Sequence, residues 1–169
     1  MKVLQEFYRF KLVETETIVG KREYIKHPGA VSIIALNDQN EILIERNLRV
    51  GIDKILVELP SGLVEENEER LITAKRELLE ETGYVANKWD ELYTFYNSAG
   101  ILDETTTIFL ARNLAFVGKN LDKEEKSTQI SQEFISEEAL FQLIMSGEEE
   151  IDAKVPMAAL GLSKVLVRR

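Results

Sequence analysis

The chain has no cysteine, so disulfides and thiolate zinc sites are excluded. Its one histidine, His27, precedes Pro28 in an extended segment and reads as a structural residue. No window approaches the ~18 consecutive apolar residues of a membrane span. The opening "MKVLQEFYRFKLVETETIVGKREY" is too charged for a signal peptide, so a cytoplasmic protein with no membrane partner is expected. Positive charge is also scarce: 21 Lys and Arg face 30 Asp and Glu, a formal net charge of -9. Such a balance repels a polyanion, and no nucleic-acid partner is expected. A small phosphorylated ligand stays open, because metal ions held by acidic residues can bring a phosphate to an acidic protein.

Repeats, low-complexity tracts and Gly/Ser/Pro linkers are missing too, so residues 1–169 read as one domain. What is present, 44% hydrophobic and 30% charged residues, is enough for a buried core. "EFYRFKLVETETIV" alternates weakly and reads as one or two N-terminal strands. "VSIIAL" (31–36) and "EILIER" (41–46) are apolar runs separated by "NDQN", whose turn chemistry predicts that they pair as a hairpin. A further strand is expected over 54–60, stopped by Pro60 and followed by the loop "SGLVEENEE". From Glu68 to Thr82, Leu71, Ala74 and Leu78 recur with Ile72 and Leu79 beside them, predicting one α-helix that Gly83 ends. Strands follow over 91–97, 106–112 and 128–135, then a helix capped by Ser136 and another after Asp152 with Pro156 in its first turn. Trp89, Tyr93, Phe95 and Tyr96 read as core or sheet face. The order predicts an α+β layered domain with a mixed sheet.

Within the predicted helix, "RELLEETG" (76–83) crowds Glu77, Glu80 and Glu81 onto one side, where like charges cost a few tenths of a kcal/mol per pair. Solvation of a charged face is one answer; the other is a cation, since several carboxylates together suit Mg²⁺ or Mn²⁺. Glu77 and Glu81 lie one turn apart with Glu80 beside them, and Arg76 is placed i, i+4 to Glu80, able to hold it. Gly62 lets the backbone turn closely over such a site, and a loop leading into a helix N-terminus offers N–H groups to an anion.

The full stretch "GLVEENEERLITAKRELLEETGY" fills every constrained position of the Nudix box G-x5-E-x7-R-E-U-x-E-E-x-G-U with Gly62, Glu68, Arg76, Glu77, Leu78, Glu80, Glu81, Gly83 and Tyr84. The chain thus resembles the Nudix hydrolases, which split diphosphates linked to another moiety. The resemblance implies a Nudix fold, a mixed β-sheet sandwiched between α-helices with an N-terminal antiparallel strand extension. It also implies Mg²⁺, with Mn²⁺ possible, on Glu77, Glu80, Glu81 and the carbonyl of Ser61. Glu80, Glu81 and Arg76 are then catalytic candidates.

"HPGAVSIIAL", "ELPSGLVEENE", "FISEEAL" and "IDAKVPMAALGLSKVL" are similar to the ADP-ribose pyrophosphatase branch of that superfamily. That likeness implies hydrolysis of ADP-ribose to AMP and ribose 5-phosphate. It also implies a homodimer built with residues 1–26, a neighbouring chain contributing from Phe7 to Phe10 or from Arg22 and Glu23. Arg49, Glu104, Gly62 and Gly100 fall at substrate-contacting places, with an exposed cation and a strand-edge charge as the plain readings of the first two. The branch's catalytic base maps to the loop "GKNLDKEEKST", giving Glu125 and then Glu124, with Asp122 also present. "NSAG" puts Ala99 where the branch has proline, which opens the substrate to another nucleoside diphosphate sugar such as GDP-mannose, or a dinucleotide. A decapping or pool-cleaning hydrolase fits the charge and the N-terminal extension poorly, and a noncatalytic nucleotide sensor should lack part of this complete box.

Overall fold

The computed structural model describes residues 1–119 and 127–166, with side chains through residue 162. Three strands, β1 (Lys2–Glu6), β2 (Lys11–Thr17) and β3 (Gly20–Lys26), form an antiparallel sheet of their own. The third strand was not foreseen from the sequence. Gly20, at φ 91°, and the Thr17 hydroxyl, which donates to the Gly20 carbonyl at 2.6 Å, make the tight turn that adds it.

Two four-stranded sheets make the body. One has the order β7 (Ser61–Leu63), β4 (Ala30–Ala35), β9 (Thr105–Phe116), β8 (Tyr84–Tyr96); the other runs β10 (Gln129–Ile135), β5 (Ile42–Arg49), β6 (Lys54–Glu58), β11 (Glu150–Ile151). The pairings of β4 with β9 and of β6 with β11 are parallel and the others antiparallel. β4 is buried along its whole length, as a strand covered on both faces must be.

Helix α1 (Arg70–Glu77) packs Ala74, with Leu78 just beyond it, against Val31, Ile33, Ala35, Leu43, Phe109 and Ala111. On the other face α2 (Glu137–Ser146) and α3 (Lys154–Leu166) set Leu140, Val155, Ala158 and Leu162 against Ile34, Ile42, Ile44, Val57 and Leu110. The Ser136 side chain caps α2 by accepting the Ala139 N–H, and Pro156 lies in the first turn of α3, both as the sequence predicts. The α+β sandwich with an N-terminal strand extension is therefore the observed architecture.

The predicted hairpin of 31–36 with 41–46 does not form. The chain does reverse at Asn37, whose side chain accepts the N–H groups of Gln39 and Glu41, and Asn40 takes φ 61°. After a single bridge, Leu36 to Ile42, the strands part into different sheets. Each has better partners: β4 lies between β7 and β9, and β5 lies between β10 and β6. The predicted loop after Pro60 contains β7, because Ser61–Leu63 pairs with the edge of β4.

Candidate active site at the end of helix α1

The helix expected over 68–82 is α-helical only to Glu77. Over Leu78–Thr82 it widens into a π turn, ended by Gly83 at φ 78°. Thr82 turns its buried hydroxyl back onto the Leu78 carbonyl, competing for the backbone acceptor, and Leu78 is fully buried, so the bulge falls on the three residues between them. Those include Glu80 and Glu81. π turns recur at functional sites because the extra residue re-aims side chains.

Arg76 organises the acids. Its Nε and Nη2 each donate to Glu68 at 3.1 Å, its Nη1 donates to Glu77 at 2.7 Å and to Glu80 at 3.0 Å, and Nη2 reaches the Leu63 carbonyl at 3.4 Å. These bonds, led by that to Glu68, hold the guanidinium firmly charged. Arg76 in turn holds the Glu68 carboxyl below its ordinary value, aided by the Thr73 hydroxyl at 2.8 Å. Glu81 turns the other way and accepts the Ser61 N–H at 2.8 Å. An added Cβ at 62 would lie 1.9 Å from the Glu77 carboxyl carbon, so any side chain there would have to displace Glu77. The loop and the helix thus close on each other through a bare backbone.

Ser61, Gly62, Arg76, Glu77, Glu80 and Glu81 line one cleft of about 1350 Å³, which Arg49 and Glu104 also reach. Arg49, half exposed, grips the buried Glu58 carboxylate with Nε, at 2.6 Å, and with Nη2. Glu104 lies 3.7 Å from His27 Nδ1, which accepts the Gly29 N–H at 3.2 Å. His27 therefore borders the cleft as well as bracing its own turn. Gly100 is exposed in the turn after β8 and is not brought to the cleft. Glu124, Glu125 and Asp122 lie outside the described residues. Trp89 packs edge-on to Phe109, and Tyr93 and Phe95 pack against the second core, whereas Tyr96 is exposed.

Among the described residues no three acidic side chains converge tightly enough to hold a cation as they stand. Glu77 and Glu80 are drawn to Arg76, and Glu81 to the Ser61 amide. The donors themselves suit a hard divalent ion: all are oxygens, and Glu77 and Glu81 both meet the backbone at Ser61–Gly62.

Three residues with a part in this region carried no signal in the sequence. Arg70 fastens the start of α1 to the ends of β4 and β9 by donating to the Ala30 carbonyl at 2.9 Å, the Thr107 hydroxyl at 3.0 Å and the Thr105 hydroxyl at 2.7 Å. Gln129 ties β10 to the π turn, donating to the Glu81 carbonyl at 3.2 Å and to the buried Glu45 at 2.8 Å. Lys154, the first residue of α3, lines the cleft. Arg70 and Gln129 act across elements distant in sequence and Lys154 reaches the cleft only through the fold, so no local spacing announces them.

A sandwich of mixed sheets between helices, with an arginine-braced acidic turn facing a glycine loop across a cleft, defines the Nudix architecture. The profile of the NUDIX domain matches residues 26–154. The chain belongs to the Nudix hydrolase family. It is 38% identical over 139 residues to the ADP-ribose pyrophosphatase of Bacillus subtilis (strain 168), spanning 82% of this chain and 74% of that one. It is 40% identical over 96 residues to the methanol dehydrogenase activator of Bacillus methanolicus, spanning 57% of this chain and 52% of that one. A crystal structure of an ADP compounds hydrolase superposes with a TM-score of 0.77 at 21% identity, covering 98% of this chain and 90% of that one, and is a likeness of fold.

Proposed function

We propose that the protein hydrolyses the diphosphate of ADP-ribose, giving AMP and ribose 5-phosphate. Water adds to one phosphorus, the bridging P–O bond breaks, and the second phosphate leaves with the bridging oxygen. The observation that carries the reading is the Arg76-braced cluster of Glu77, Glu80 and Glu81 facing Ser61–Gly62 in a cleft large enough for a nucleoside diphosphate sugar. Likeness over most of the chain to an enzyme named ADP-ribose pyrophosphatase supports the substrate. The residues to hold Mg²⁺, or Mn²⁺ in its place, are Glu77, Glu80, Glu81 and the Ser61 carbonyl. When bound there, the ion supplies polarisation of phosphoryl oxygens and neutralisation of the leaving phosphate.

The chain's own groups have distinct tasks. Arg76 keeps the carboxylates aimed at the cleft while Glu68 holds Arg76 in register. Arg49, fixed by Glu58, presents a permanently charged guanidinium to the substrate, and Glu104 offers an acceptor for a sugar hydroxyl. The water-activating base is assigned to Glu125 or Glu124. The N-terminal sheet, with exposed Val3, Phe7 and Phe10, is assigned to a homodimer interface beside the cleft.

Incubation with ADP-ribose and Mg²⁺ is expected to release AMP, and Glu81→Gln to lower kcat by about 10²- to 10³-fold with little change in Tm. Absence of AMP, or full activity in Glu81→Gln, overturns the reading. A panel of nucleoside diphosphate sugars ranked by kcat/KM should place ADP-ribose ahead of GDP-mannose; the reverse order moves the assignment to GDP-mannose.

A further inference from the structure

Cations on the cleft wall differ in exposure: Lys26 and Lys11 are each 46% exposed, whereas Lys154 is 18% exposed. Arg76 is occupied by Glu68, Glu77 and Glu80, Lys26 is paired with Asp103 and Lys11 with Glu6. Arg49 and Lys154 stand together, paired with Glu58 and Asp152 at the meeting of β6, β11 and α3. β11 runs parallel to β6, and Asp152 follows it directly, donating its N–H to the Val57 carbonyl at 3.0 Å. That sets Asp152 alongside Glu58, the carboxylate that holds Arg49. The Asp152 side chain then does two things: it accepts the Lys154 N–H at 2.8 Å, capping α3, and stands 2.8 Å from Lys154 Nζ. Arg49 feels this grouping, kept charged first by its bonds to Glu58 and then by Glu81 and Asp152.

We propose that Lys154, aimed by Asp152, is a phosphate-binding residue of this cleft and grips the substrate's diphosphate together with Arg49. The assignment rests on the diphosphate reading given above. An ammonium has three N–H donors, and a single carboxylate oxygen occupies one of them, leaving Lys154 able to bond a phosphoryl oxygen without giving up Asp152. Because Asp152 already satisfies the first N–H of α3, the anion's attraction is to the lysine side chain and not to the bare helix end. The side chain is 18% exposed, so an ion pair with a phosphate there is screened less than one on the open surface. As a stability device the Lys154–Asp152 pair is expected to be weak, because it joins near neighbours at the surface of the cleft.

The test compares Lys154→Met, Lys154→Arg and Asp152→Asn with the parent protein, reading kcat and KM for ADP-ribose and the calorimetric Kd for ADP. Lys154→Met should raise KM and the ADP Kd about tenfold while kcat falls less than threefold, and Lys154→Arg should recover most of the loss. Asp152→Asn should give an intermediate KM. An ADP Kd unchanged in a folded Lys154→Met protein, or a KM defect that Lys154→Arg does not relieve, overturns the proposal. The two readings fail separately. A parent protein that binds ADP in a Lys154-dependent way yet cleaves no ADP-ribose keeps the lysine and loses the substrate. Cleavage with a Lys154-independent ADP Kd does the opposite.

Discussion

At the Glu77 end of the cleft each charged side chain is fastened: Glu68, Glu77 and Glu80 to Arg76, Glu81 to the Ser61 amide, and the start of the helix to two strands by Arg70. At the Phe7 end, the lining residues stand on a three-stranded sheet whose first strand is exposed throughout. Phe7 and Phe10 contact each other, with ring centroids 4.7 Å apart, yet both remain well exposed. The contrast separates two tasks. Chemistry on a diphosphate needs carboxylates held to within a fraction of an ångström, which takes a web of short bonds. Holding the rest of the substrate, or a second chain, needs apolar area, and that area has no use until something covers it.

Removing the hub should have the largest effect on the fastened end. Arg76→Met should lower kcat by about 10- to 100-fold, since the acids then repel one another and lose their aim. It should also alter the acid limb of stability. Glu68 titrates below its ordinary value of 4.5, so its pairing stabilises the fold fully above that value and the benefit is lost as pH falls through the depressed one. Melting curves from about pH 5 downward should therefore fall less steeply in Arg76→Met than in the parent. Equal slopes would show that the pair does not tune Glu68.

A smaller effect is expected from Gly62→Ala, whose new methyl group meets the Glu77 carboxylate. Moving that side chain should cost about 1–3 kcal/mol of stability and lower kcat more than it raises KM. A change confined to KM would place Gly62 on the substrate side of the cleft and not behind its acids.

The mildest outcome belongs to the other end. Phe7→Ala with Phe10→Ala should leave Tm and kcat within narrow limits, raise KM a few-fold and shift sedimentation toward the monomer. A large loss of kcat there would erase the division between the two ends.

How much of this was legible beforehand follows the same division. The acidic cluster, its arginine and its glycine are local in sequence, so their spacing predicted Arg76 beside Glu80 and the stop at Gly83, and both are observed. The π turn was not legible, because it depends on the Thr82 hydroxyl competing for a carbonyl and on Leu78 being fixed in a core made by other elements. "NDQN" was read correctly as a turn and wrongly as a hairpin. Turn chemistry settles where the chain reverses, but strand partners are chosen by burial, and β9, far along the chain, offers β4 more than β5 does. Arg70 and Gln129 are silent for the same reason, their partners being set by the fold, and Lys154, paired locally with Asp152, meets the cleft only once α3 is packed.

If the Glu77, Glu80 and Glu81 wall grips divalent ions that hold a diphosphate, a Mn²⁺ titration followed by electron paramagnetic resonance, with ADP present, on the parent protein and on Glu81→Gln, reads it at the metal itself. The parent should quench the free-ion signal, binding more tightly when ADP is added, and Glu81→Gln should weaken this by about tenfold or more. Equal Mn²⁺ affinity in both proteins, indifferent to ADP, would contradict it.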